Sequence, residues 1–545
     1  MSVQFDSYPF IFVFLPLTVG VFWKLLRHLG RNHAVGWLLF ASVIFYASAS
    51  LRSLAIVVPS ILVDYGFAQG MLRQKYSART RKALLICGIC LNVLFLGYFK
   101  YKNFFIETVN GAAGTDFVLT PALLPVGISF LVFQKIAFLI DVHSEQLQTV
   151  RLLDFLLFTL FFPRTIAGPI VHYQEVIPQL SAAPPDGAKR AVAVGLCLFS
   201  IGLFKKTVLA DNIGKFVPFA FDKFPDAISV GSTGLLFSWI SVLAYAFQLY
   251  FDFSGYSDMA LGSARMLGIQ LPINFNSPFK ANSMVDFWSR WHITLTRFLT
   301  AYIYTPIVLH LTRSRMAKGK PILCAGRTRF SALMSLVATP TLTTMTISGL
   351  WHGAGWQFIA WGALHGIYLT VNQTWRLWER RLRRSESRHD RVSKILAHLL
   401  TFMSVVVSLV LFRSDSLATA KSVLSNMLGL NGLLPHFLEL VEKTGVIIPW
   451  PMWNILLPWT AFCLIAISLI IVMWLPNSLE CVSSLESAFV SSRAETLAVS
   501  NDVPNDVSSL IRRRFAALAA PATALMSALG VMAISQSSGF LYGAF

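Results

Sequence analysis

Charge is scarce in this chain. Only 13% of its 545 residues are Asp, Glu, Lys or Arg, well under the share a soluble domain needs to cover its surface. Acidic residues are the rarer sign, 26 against 45 basic ones, and the hydrophobic fraction of 55% excludes a disordered or solvating chain. Cysteine is sparse as well: six residues, all in or beside apolar segments, offer no disulfide framework and no zinc spacing. The CGIC run at Cys87–Cys90 matches a redox spacing, but inside a spanning helix it reads as core filling. Polar/apolar alternation over strand-length segments, the mark of a membrane barrel, is missing too. What remains is a helical integral membrane protein.

Twelve apolar runs, from 8–23 to 515–534, are of a length to cross hydrocarbon. They predict an all-α polytopic protein with about eleven or more transmembrane helices, forming a single domain over 1–545 in a lipid bilayer. The net charge of +19 points to no nucleic acid, because the basic residues are grouped between apolar runs at 73–82, 313–329 and 376–391. By the positive-inside rule these loops are cytoplasmic. The first run has no basic residue before it and several after, which predicts a retained helix starting outside the cell. A serine-rich, acidic stretch at 477–514 reads as a loop with some amphipathic helix.

Residues 252–295 interrupt this pattern. They carry Asp252, Asp258, Arg265, Lys280, Asp286, Arg290 and His292 among aromatics, too polar a set to cross lipid unshielded. The expectation is a surface-lying or re-entrant segment facing the cytoplasm, with the short runs 152–171 and 296–311 re-entrant as well. Ser283 followed by Asp286 predicts a helix starting near Met284. On it Asp286 and Arg290 pair four apart, while Phe287 and Trp291 share an apolar face.

Eleven histidines are present. Most lie at run ends or in loops, where an imidazole needs no special role. His292, His310, His352 and His365 sit in aromatic, apolar sequence and must find partners there. His352 stands in SGLWHGAGW, between Trp351 and Gly353, with Gly355 and Trp356 beyond. Glycines let backbone or a ligand approach the ring, and tryptophans wall off water. A catalytic base in a dry pocket and a glycine-rich helix packing site both fit these residues. His365 reads as a hydrogen-bonded helix-interface residue. Asp141, Asp252, Asp258 and Asp286 are candidate orienting carboxylates, and no i, i+3 or i+4 ligand pair at His352 suggests a metal.

Six blocks, in order, resemble the membrane-bound O-acyltransferase family, in the branch of the alginate O-acetylation and teichoic-acid D-alanylation membrane proteins. They are FDSYPFIFVFLPLT (5–18), LPVGISFLVFQKIAFLIDV (124–142), FFPRTIAGPI (161–170), 250–279, 286–307 and 348–366. Core motifs thus fall at about 124–370, with helices of 5–110 before and 395–545 after. The resemblance implies a central acyl-transfer tunnel, His352 as catalytic base and His292 as the second signature histidine. Trp351, Trp356, Asp286, Arg290 and Trp291 would then contact substrate, with Arg265, Lys280 and Arg297 drawing the donor's phosphates. It implies acetyl-CoA as donor, with no bound cofactor, and a periplasmic or extracellular acetyltransferase or polysaccharide-modification protein as partner. The setting would be the bacterial inner membrane, and the product an O-acetylated exported polysaccharide such as alginate. Two alternatives stay open: D-alanyl transfer to teichoic acid from a carrier protein, and a transporter or flippase without chemistry.

Overall fold

The computed structural model describes residues 4–119, 124–181, 187–221, 234–323, 329–382, 391–432, 452–483 and 521–534. Among them all regular structure is helical, and eight helices are long and apolar enough to cross a membrane. Large apolar side chains such as Phe12, Leu94 and Leu400 point outward, as a protein solvated by lipid requires. His389, His436 and most of the serine-rich stretch lie outside the described residues, as do parts of the basic segments 313–329 and 376–391. Two compact units are present: Met1–Val208 with Asp252–Ile273 and Pro476–Ala544, and Leu209–Phe251 with Asn274–Leu475 and Phe545.

The first unit opens with α1 (Leu15–His28), α2 (Arg31–Ala49), α3 (Leu51–Leu72) and α4 (Ala78–Leu96). Ser50 and Ser77 cap α3 and α4 by accepting the Ser53 and Thr80 amides, which is why each helix starts where it does. Cys87 and Cys90 on α4 are exposed rather than core-filling, because nothing among the described residues covers that face of the helix. Next come α5 (Ile128–His143) and α6 (Leu152–Leu160). α6 is too short to span, and the chain after it is non-helical yet buried through Ile170. Such backbone is tolerated at membrane depth only inside protein, and here it is enclosed by protein.

The most deeply buried charges of this unit's helices are paired. Lys135 of α5 reaches Asp64 of α3 at 2.9 Å, both fully buried. Asn92 of α4 donates to the same carboxylate at 2.7 Å, and Ser60 receives the lysine at 3.1 Å. After α7 (Gly187–Phe204), Lys205 and Lys206 meet Asp258 at 2.7 Å and Asp252 at 2.9 Å. Both aspartates lie on α8 (Gly234–Met266), whose later part belongs to this unit. Residues 252–266 are therefore not a surface segment: they continue a buried helix, and counter-charges on α7's extension make that burial possible.

In the second unit α9 (Met284–Arg290) starts as expected, with Ser283 accepting the Asp286 amide and Asp286 taking the Asn282 amide. The chain then breaks at His292 and resumes as α10 (Ile293–Leu299). Instead of turning back, α10 runs unbroken through a π turn at Thr300–Tyr304 into Thr305–Ala317. Residues 296–311 thus lie in one continuous helix that does not turn back on itself; Pro306 sits in the first turn of Thr305–Ala317, directly after the π turn. Arg315, counted as a topology charge, is buried and donates to the carbonyls of Pro321 and Ser331.

The unit's closest helix pair is α11 (Thr339–His352) with α12 (Trp356–Leu382), flanked by α13 (Arg391–Arg413). The α11 and α12 backbones touch at Gly349 and Gly362. A Cβ on Gly349 would lie 2.2 Å from the Phe358 carbonyl oxygen and 3.0 Å from Gly362 Cα. Only glycine permits that approach. Gly349→Ala is accordingly expected to cost about 1–3 kcal/mol from overpacking. Thermal unfolding in detergent would show a lowered Tm together with lost transfer, and an unchanged Tm would contradict the close crossing.

Candidate active site

His352 is the last residue of α11, 3% exposed. Three aromatic rings enclose its imidazole: Trp351 at 4.7 Å between centroids, Trp361 at 5.2 Å and Phe412 at 5.2 Å. The first is its chain neighbour, the second comes from α12 and the third from α13. Trp356 is not part of this wall. It opens α12 and is 53% exposed, since the Gly353–Gly355 turn carries it away from the ring. The Gly353 opening is filled by protein: a Cβ there would strike the Phe358 ring at 2.1 Å. Trp361 and Phe412 could not be found from the motif, because one lies beyond it on the next helix and the other sixty residues away.

His292 is fully buried at the break between α9 and α10. Its backbone is left-handed, φ +44 and ψ +52, a conformation a β-carbon disfavours and one that clusters at functional sites. Asn274 Oδ1 lies 3.3 Å from Nδ1 and also takes the Thr294 amide and hydroxyl. An amide oxygen can only accept, so His292 presents Nδ1–H to it and keeps its lone pair on Nε2. Desolvation holds this imidazole well below the ordinary value, at about 3, hence neutral at working pH. Its ring lies 6.3 Å from Trp351, so one tryptophan touches both signature histidines.

His365 stands in contrast. Trp288 Nε1–H donates to its Nδ1 at 3.2 Å, and its Nε2–H donates to Ser408 Oγ at 2.8 Å. Ser408 in turn donates to the Val405 carbonyl. Both ring nitrogens are committed to the fold, which leaves no lone pair for proton transfer.

The other sequence candidates divide. Asp286 and Arg290 form the expected pair at 2.7 Å, and Arg290 also reaches the Asn276 carbonyl. Trp291 stacks on Phe287 and meets Phe275 edge-on, burying it in an aromatic cluster. Lys280 donates to the Leu475 carbonyl. Arg265 belongs to the first unit. The four candidate carboxylates serve other groups: Asp141 pairs His172, Asp252 and Asp258 pair lysines, and Asp286 pairs Arg290. Among the described residues no cluster of three metal-ligating side chains occurs.

The family model described as the membrane-bound O-acyltransferase family matches residues 118–319. A peptidoglycan O-acetyltransferase of Helicobacter pylori is 38% identical over 79% of this chain and 80% of its own length. The chain belongs to the membrane-bound O-acyltransferase family. Its multi-pass helical fold and its enzymatic class, an O-acyltransferase, follow from that membership. A probable alginate O-acetylase, AlgI, of Azotobacter vinelandii is 35% identical over 76% of each chain. A teichoic acid D-alanyltransferase of Streptococcus thermophilus is 27% identical over 74% of this chain and 93% of its own. The matched family region contains His292 and ends before His352.

Proposed function

We propose that this O-acyltransferase moves an acetyl group from a cytoplasmic thioester, acetyl-CoA, toward an exported cell-surface polysaccharide in the bacterial inner membrane. The observation that carries the reading is His352 in a dry aromatic cage, joined through Trp351 to a second buried, neutral histidine. Similarity to relatives named for peptidoglycan and alginate O-acetylation supports the polysaccharide acceptor.

In this reading a hydroxyl attacks the thioester carbonyl carbon while its proton passes to His352, the general base. An imidazole suits the task because its ordinary pKa lies near neutrality. The cage excludes water, which would otherwise take the acyl group. His292 positions the donor, whose anionic part meets Arg290, Lys280 and Arg297 on the same unit. A periplasmic or extracellular partner completes delivery to the polysaccharide.

The test is turnover of labelled acetyl-CoA by purified protein in proteoliposomes, with free thiol and labelled acceptor both measured. Thiol release that depends on acceptor is expected; a donor left intact while a substrate crosses would establish a transporter instead. The D-alanyltransferase relatives favour one second reading, in which a D-alanyl carrier protein is the donor. Turnover of that carrier, with acetyl-CoA inert, would select it.

A further inference from the structure

Helical Ser and Thr residues of the second unit ordinarily return their hydroxyls to the carbonyl four residues back. Thr300, Thr370, Thr374, Thr401, Ser404 and Ser414 all do so at 2.7–2.8 Å. Ser348, one turn before His352 on α11, does not: its Oγ is buried and makes no hydrogen bond, as is also the case for Thr344 a turn earlier, but Ser348 is the one that shares the turn with the base. The same holds for the indole N–H of Trp361, whose ring stands edge-on to His352 at 88°. Other tryptophans of this unit find acceptors, Trp288 on His365 and Trp239 on the Met427 carbonyl. Ser348 and Trp361 immediately precede Gly349 and Gly362, the two residues at which α11 and α12 touch. The closest point of the helix pair thus places two buried donors beside the base, and a buried donor without an acceptor is strongly disfavoured unless a ligand supplies one.

We propose that Trp361 Nε1–H and Ser348 Oγ–H are the oxyanion donors of the acyl transfer. The inference rests on His352 acting as general base. As the acceptor oxygen bonds to the thioester carbon, its proton goes to His352 and the carbonyl π pair moves onto oxygen. The two donors bind that oxyanion. On collapse the carbon–sulfur bond breaks, and the thiolate leaves with the proton from His352. Donors fixed by helix packing in a water-free cage need no reorientation when charge develops, which is where such bonds contribute most.

Trp361→Phe keeps the ring and removes only the N–H. Its kcat is expected to fall about 10²–10³-fold, with the donor KM within twofold and the Tm unchanged. Ser348→Ala, a smaller change that keeps the fold, is expected to lose kcat at least about tenfold on the same grounds. A trifluoromethyl ketone analogue of the donor, whose hydrate presents an oxyanion-like oxygen, should bind Trp361→Phe more weakly by the factor lost in kcat. A thioether analogue lacking that oxygen should bind both proteins equally. If Trp361→Phe fails to fold, Ser348→Ala decides through the same two analogues. Wild-type kcat in either well-folded variant, or a parallel loss of Tm, kcat and both analogues, would overturn the assignment. Activity retained by His352→Ala would instead remove the base, whatever the two donor variants show.

Discussion

Replacing His352 with alanine is expected to lower acyl transfer about 10²–10⁴-fold, equivalent to about 3–5 kcal/mol of barrier, while the protein still folds and inserts. The side chain contacts aromatic rings on three sides, so its removal takes away a base and leaves those rings in place. His365→Ala is the informative contrast. It strips Trp288 and Ser408 of their partner, so the Tm should fall, while molecules that remain folded keep a substantial kcat. Single-turnover kinetics paired with thermal unfolding separates the two. Should His352→Ala lose activity only in proportion to lost folded protein, the catalytic assignment is wrong.

Asp64→Ala should destabilise the first unit by about 3–5 kcal/mol, because Lys135 would be left as an uncompensated buried charge. The pair lies at 2.9 Å with both side chains 2% exposed, tied to a third helix through Asn92. Joint replacement, Asp64→Ala with Lys135→Met, is expected to recover most of that loss, since two charges then leave together. The comparison is a double-mutant cycle of unfolding free energies in detergent. Equal losses in the single and double variants would show that the aspartate matters for something other than its lysine.

His352 was legible because its motif is local: a histidine between bulky aromatics and glycines stands out in nine letters. Its cage was not, since Trp361 and Phe412 reach it from two other helices. Trp356 misled for the same reason, as proximity in sequence across a glycine turn does not fix direction. The start of α9 was readable because capping is a four-residue interaction. Residues 252–266 were misread because the charges that neutralise them lie about fifty residues earlier in the chain, at Lys205 and Lys206. Composition registers a charge and not its partner. Lys135, a lone cation in an apolar run, carried the same signal and was equally silent about Asp64.

Those two lysines also bear on how the chain is made. The segment Gly187–Gly214 leaves the ribosome before Asp252 and Asp258 exist, so its Lys205 and Lys206 meet the bilayer without those partners. Each opposes entry by up to about 2.5–3.5 kcal/mol at the centre of a helix. Once α8 emerges, its aspartates pair with these two lysines and offset their cost of burial. A translation arrest placed between residues 214 and 252 is therefore expected to leave both lysines without their aspartates and to lower the membrane integration of this stretch relative to the full chain.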